Sequence, residues 1–369
     1  MFDRRLVFHI NWGLLTLTAI LFLVGVMNLY SASTLRMASG LELDAYFNKQ
    51  LLWGGVGLCV MTAVVLVDYR HLKSVSWPFF ILCLLLLLGV VVAGKTIYGA
   101  KRWLDLGFFN LQPTELTKIA VLILGARLMT RMEGRLGWVS LGKILLVGLV
   151  PAAFVVKQPD LGSALNILLI LGGMILFKGV TSSVFKVLAV VIPVMLPFGW
   201  FFLHDYQKQR ILTFLDPGND PLGAGYHIIQ SQIAIGSGGF WGKGFLEGTQ
   251  SQLRFLPEKH TDFAFAVFGE EWGFFGAMVL LILFCSFLYQ VYIVTMEAKD
   301  DFGSYLAAGV FFYFFWQILI NIGMVLGIMP VVGIPLPFIS YGGSASVVNF
   351  CMIGLVMNVA MRRFVFKKG

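Results

Sequence analysis

The sequence predicts an all-α polytopic membrane protein of about ten transmembrane helices, with one large polar loop between the seventh and eighth. Two observations carry this prediction. Of 369 residues, 58% are hydrophobic and only 12% charged, about half the charged share of an ordinary soluble domain. Residues 302 to 361 hold no charged side chain at all, and 60 such residues would make a helix about 90 Å long, three hydrocarbon cores end to end.

The first span lies in the uncharged run from Ile10 to Leu35, preceded by Arg4 and Arg5. A cleaved leader has the same charge order, but its apolar core is shorter, so this segment is expected to remain as a span. Further apolar segments occupy roughly 50 to 67, 74 to 94, 144 to 156, 161 to 177, 187 to 203 and 272 to 296. The charge-free run must fold back on itself. Pro330, Gly333, Pro335 and Pro337 mark the break, because prolines withhold helical donors, and they predict two spans joined by a tight outer turn. A tenth helix over 113 to 131 is weak by hydropathy but well signalled at its start. Pro113 suits the first helical position, and Glu115 complements the macrodipole in the first turn.

Orientation follows from the basic residues. With both termini inside, fifteen lysines and arginines fall on the cytoplasmic side against seven outside, leaving out the long loop. The formal net charge of +8 is scattered at segment ends, which speaks for topology and against nucleic-acid binding. Cys59, Cys83, Cys285 and Cys351 all lie in apolar runs and read as small buried hydrophobes, not as a disulfide or metal set. Residues 204 to 262 then form an outer loop too long for a mere connector. Within it, the isoleucine spacing from Tyr226 to Ile235 predicts a short helix lying on the membrane surface. The whole chain, 1 to 369, reads as a single transmembrane domain.

Ionisable groups at membrane depth are costly and point to function. Glu115 and Lys118, three residues apart, share a helix face and can pair; the alternative is a snorkelling couple at the outer interface. Lys101 and Arg102, beside Trp103, are two cations on the side that the orientation rule leaves poor in them. A phosphate-bearing ligand would explain them, as would anionic lipid headgroups. Asp160 follows Lys157, Gln158 and Pro159 at an outer turn; it is a candidate substrate-binding residue, and it also stands where a helix cap belongs. The run LRFLPEKHTDFAF brings Arg254, Glu258, Lys259, His260 and Asp262 to the mouth of the eighth span. A carboxylate at that boundary is partly desolvated, more basic and suited to general base work; capping, in competition with Thr261, is the plainer role.

Two attractive signals fail. The glycine-rich GSGGFWGKG lacks the hydroxyl residue after lysine that a P-loop needs, and reads as a flexible, closely packed loop. His204, His227 and His260 share the outer loop without metal-ligand spacing or a cysteine, which argues against zinc.

The stretches KRWLDLG, LQPTELTK, QPDLGSAL, HDYQKQR, LDPGNDPLGAGYHIIQSQIAIGSGG, LPEKHTDF and PLPFISYGGSA together resemble the SEDS family over nearly the whole chain. GYHIIQS and LPEKHTDF are more similar to its elongation branch than to its division branch. The resemblance implies a ten-helix peptidoglycan glycosyltransferase of the bacterial inner membrane. Such an enzyme polymerises lipid II in cell elongation beside a class B penicillin-binding protein that crosslinks the product. It also implies that the aspartate of the HTDF motif, here Asp262, is the essential residue, and that Glu115 and Lys118 line a central cavity.

The chemistry is consistent with that expectation. Inverting transfer from a sugar diphosphate needs a base for the attacking hydroxyl and a cation for the leaving group, but hardly an acid. Asp262 is the candidate base; Lys101, Arg102, Lys118 and Arg210, or a bound Mg²⁺ or other divalent ion, are candidates to hold the diphosphate. Two rival readings remain open here, a lipid II flippase and a non-catalytic scaffold for the crosslinking enzyme. Transport folds show repeats and broken midplane helices, and no internal repeat is evident.

Overall fold

The computed structural model describes residues 9–37, 40–43, 46–97, 100–105, 107, 110–202, 205–220, 223–253, 255–256 and 258–363. Arg4, Arg5, His204, Arg254 and the extreme C-terminal residues fall outside them. Ten helices of eighteen residues or more are described: α1 Trp12–Ser33, α2 Tyr46–Leu66, α3 Leu72–Ala93, α4 Pro113–Thr130, α5 Trp138–Lys157, α6 Leu161–Lys178, α7 Ser182–Phe202, α11 Ala264–Met296, α12 Asp301–Val325 and α13 Gly343–Arg362. Three shorter ones, α8 Asp205–Leu215, α9 Ala224–Gly238 and α10 Thr249–Gln252, lie between α7 and α11.

Eight of these helices are long and apolar enough to cross a membrane. The remaining two long helices are α4 and α7. Helix α4 carries Glu115, Lys118 and Arg127, yet most of its side chains are buried against α3, α5, α6 and α12. Its charges are therefore sheltered by protein rather than by lipid. Helix α7 does the opposite, turning Phe185, Val190, Val194 and Phe198 outward. The expected start of the eighth span moves from 272 back to Ala264, because Glu270 and Glu271, fully buried, belong to α11.

Two small β elements were not expected. Strands β1 Thr34–Met37 and β2 Gly40–Leu43 form a hairpin after α1; β3 Lys95–Ile97, β4 Ala100–Asp105 and β5 Asn110–Leu111 form an antiparallel sheet between α3 and α4. The cysteine reading holds in part. All four are free and Cys83 is buried, but Cys59 and Cys285 sit on outward faces of α2 and α11, where an apolar side chain meets lipid at no cost.

The expected tight turn after α12 is a re-entrant segment. Its Phe338 and Ile339 are buried, with the Phe338 ring against those of Phe287, Phe314 and Phe350. A Cβ at Gly25, in the middle of α1, would stand 2.0 Å from the Phe338 carbonyl oxygen, so the absent side chain is what admits this backbone. Irregular backbone at that depth is tolerable because protein encloses it.

The glycine-rich loop is closely packed, as expected, but fastened rather than flexible. Lys243 and Gly244 donate backbone N–H groups to Glu270 and Glu271, and Phe274 and Phe275 donate to Gly239 and Phe240. This exchange requires a break in α11, which Gly273 supplies at φ 64°. Helix α9 forms where the isoleucine spacing placed it, but it is not simply a surface helix. Ile228, Ser231 and Ala234 are buried, and the Ser231 hydroxyl bonds the Val325 carbonyl at the end of α12 (2.9 Å).

Candidate active site

The turn over 258–262 delivers Asp262 just ahead of α11. Two bonds fix its backbone neighbourhood. Asn321 Nδ2, buried on α12, donates to the Asp262 carbonyl (2.9 Å) and to the Ile334 carbonyl (2.8 Å), and the Tyr341 N–H donates to the His260 carbonyl (2.8 Å). The helix-cap reading fails. The α11 cap position is Phe263 with no side-chain bond, and the Thr261 hydroxyl turns back to the Glu258 carboxylate (3.0 Å). The Asp262 carboxylate is half-buried and accepts no hydrogen bond among the described residues. It faces Gly333, where an added Cβ would lie 3.4 Å from Oδ2.

Four charged groups surround it. Burial is the main cause that pushes Asp262 up to about 6, Glu258 adds to it, Arg210 and Arg102 oppose it, and Asp160 adds a little more. Arg102 is held by its Nη2 donating to the Pro159 carbonyl (2.7 Å), with Nε 3.7 Å from Asp160 Oδ2. Asp160 also caps α6, its Oδ1 accepting the Ser163 N–H (3.1 Å), so capping and site placement are one arrangement. Arg210 reaches the group from α8.

Lys101 does not join them. On strand β4, successive side chains point to opposite faces, so Lys101 and Arg102 diverge, and Lys101 is exposed. The expected plain loop is a strand, which sets Lys101 and Arg102 on opposite faces and leaves only Arg102 beside Asp160.

Glu115 and Lys118 form a second centre. Lys118 Nζ donates to Glu115 Oε1 at 2.6 Å with both side chains buried, which rules out snorkelling. Lys118 also stands 5.7 Å from the centre of the Tyr313 ring, whose hydroxyl donates to Asn349 (2.8 Å). The second oxygen of Glu115 has no partner among the described residues. The carboxylate borders a cavity of about 470 Å³ with Trp53, Gln112 and Ser344. Among the described residues no hydrogen bond or ion pair joins this couple to Asp262, so the structure brings together Asp262, Asp160, Arg102 and Arg210, and leaves Glu115 with Lys118 apart.

Three participants were missed. Glu258 stood in the quoted run but was given no role. Asn321 was visible as a buried-span amide, one turn after Gln317, in a charge-free run. His227, considered only as a zinc ligand, stacks on Phe263 at 5.8 Å, and burial lowers its pKa while Glu258 and Asp220 oppose that shift. Among the described residues no three His, Cys, Asp or Glu side chains gather as a metal site.

The model of the FtsW/RodA/SpoVE cell cycle proteins matches residues 12–364. The chain belongs to this family. Within it, the chain is 42% identical over 354 residues to the peptidoglycan glycosyltransferase MrdB of Escherichia coli K12, covering 95% of each chain. Among solved structures it matches a chain of a peptidoglycan synthase complex that coordinates polymerization and crosslinking, with a TM-score of 0.81, 30% identity and coverage of 97% and 99%. It also matches the rod shape determining protein RodA of Thermus thermophilus, with a TM-score of 0.71, 26% identity and coverage of 97% and 98%. The FtsW/RodA/SpoVE fold is thus spanned almost end to end, as a multi-pass helical membrane protein.

Proposed function

We propose that this chain is a peptidoglycan glycosyltransferase that polymerises lipid II during cell elongation, with Asp262 as general base. The observation that carries the reading is a half-buried carboxylate, without a hydrogen bond among the described residues and raised to about 6, set among Arg102 and Arg210. A base of that strength is largely ionised at neutral pH and still takes a proton. An Asp262 oxygen removes the proton of the acceptor 4-hydroxyl as the hydroxyl oxygen bonds the anomeric carbon of the donor. The bond from that carbon to the diphosphate breaks on the opposite face, inverting the centre. Arg102 and Arg210 receive the diphosphate charge, which a fixed guanidinium stabilises best where water is scarce. A Mg²⁺ ion, if bound, would neutralise diphosphate charge beside Asp262 and Asp160; among the described residues no three-carboxylate group gathers to hold it.

Glu115 and Lys118 serve the cavity beside α4, where the unpaired Glu115 oxygen is available to a substrate donor. The identity to MrdB and the likeness to a synthase-complex chain support a class B penicillin-binding protein as partner within the elongation machinery. The excess of basic residues on the other face supports an inner-membrane protein with both termini cytoplasmic and the Asp262 loop outside. The chain then works as one transmembrane domain from 1 to 369.

The test is purified Asp262→Asn with lipid II and its partner, read by gel analysis of glycan chains. We expect a correctly folded protein whose polymerisation falls by at least a factor of about 10³, the range of losing a catalytic base together with its charge. Long chains made at the wild-type rate would remove the base assignment.

A further inference from the structure

At the end of the bundle remote from Asp262, α3 and α4 enclose a pocket of about 280 Å³ lined by Lys73, Ser74, Arg127, Thr130 and Arg131. Its distance from the site follows from α4, whose first residue is Pro113 next to the Arg102 sheet and whose last turn holds Arg127. Eighteen residues place the two ends about 27 Å apart.

The cations are unevenly compensated. Lys73 pairs with Asp300 (3.2 Å), which also accepts from the Tyr69 hydroxyl. Arg127 donates only to the neutral Ser76 hydroxyl (2.8 Å), and no carboxylate pairs with Arg127 or Arg131 among the described residues. The helix dipole accounts for Arg127 and Arg131 at the C-terminus of α4, but it opposes Lys73 in the first turn of α3. Two like charges four residues apart repel as well. The Ser74 and Thr130 hydroxyls already donate to the carbonyls of His71 and Ala126, so recognition would rest on the cations.

The same face of α4 continues upward as an apolar wall. Leu116, Ile119 and Ile123, in register with Arg127, line a groove of about 680 Å³ opposite Val75 and Phe79 of α3. The groove and the cationic pocket are separate cavities that both border α3 and α4, one along the helices and the other at their ends, and together they match an amphiphile: acyl chain in the groove, phosphate in the pocket.

We infer that this pocket holds the phosphate of an anionic phospholipid from the surrounding membrane, with an acyl chain lying along α4. The inference does not depend on the reaction assigned to Asp262. It is tested by native mass spectrometry of the full chain released from micelles containing phosphatidylglycerol or phosphatidylcholine. Wild type is expected to retain phosphatidylglycerol in preference. Arg131→Gln, which changes an exposed side chain and spares the core, should lower that retention about fivefold, and Arg127→Gln with Arg131→Gln about 25-fold, at roughly the surface contribution of one basic residue each. Lys143→Gln with Lys186→Gln removes the same charge from exposed positions outside the pocket and should leave retention unchanged. Equal retention of the two lipids by wild type, or equal loss in the control pair, overturns the site. Displacement of the lipid by inorganic phosphate added in large excess would assign the pocket to free phosphate and overturn the lipid source.

Discussion

Asp262 has the basicity of its surroundings, not of its residue type. Burial and Glu258 favour the protonated carboxyl, while Arg210 and Arg102 hold the shift to about 6. The proposed base is lost as pH falls through that value, so polymerisation should show an acid limb near pH 6 and drop about tenfold per unit below it, measured as initial rate against pH. Stability carries the opposite sign. The folded state binds this proton more tightly than the unfolded chain does, so stability declines as pH rises from about 4 to 6 and is flat beyond. At pH 7.5 the Asp262→Asn protein should therefore melt no lower than wild type, and a clearly lower melting temperature would assign the side chain a structural task. The motif position of Asp262 was legible in sequence because a carboxylate before an apolar run is conspicuous. Its freedom from capping was not, since that depends on Phe263 taking the cap position and on Thr261 turning to Glu258.

Helix α4 shows what an element adds. Its start at Pro113 and the three-residue spacing of Glu115 and Lys118 were readable, and both led to the correct pair. Removing one partner strands the other charge in a dry site. Lys118→Ala should destabilise the protein by about 3 to 5 kcal/mol and weaken polymerisation far more than Lys368→Ala on the tail. Adding Glu115→Gln to Lys118→Ala should restore much of the melting temperature but not the activity; equal activity of the two lysine variants would return Lys118 to a purely structural role. Strand β4 teaches the converse. Lys101 and Arg102 looked like one cationic site until the pleat turned them apart. Helix α11 was likewise read eight residues short, because Glu270 and Glu271 resemble loop residues until Lys243 and Ser31 are found against them.

At the scale of the molecule, the reading places Asp262 on the outer face and both termini inside. Cysteine introduced at Thr261, on the partly exposed rim of that turn, should react with a membrane-impermeant maleimide added to intact spheroplasts, whereas cysteine at Arg363 should react only after lysis. The opposite pattern would invert the topology and end the proposal. Composition and hydropathy alone determined the fold class, because a helix that must span hydrocarbon needs a long apolar run wherever it sits. Their charge, and their place in segments read as lying on the outer side, likewise marked Asp262, Asp160, Arg102 and Arg210 as candidates. Only the tertiary structure decided that these four converge, that Lys101 does not, and that Phe338 is buried deep in the bundle. Such meetings join residues distant along the chain, and no local period encodes them; they follow from close approaches like that of Gly25 to Phe338 and from the one amide of Asn321 that ties Asp262 to Ile334.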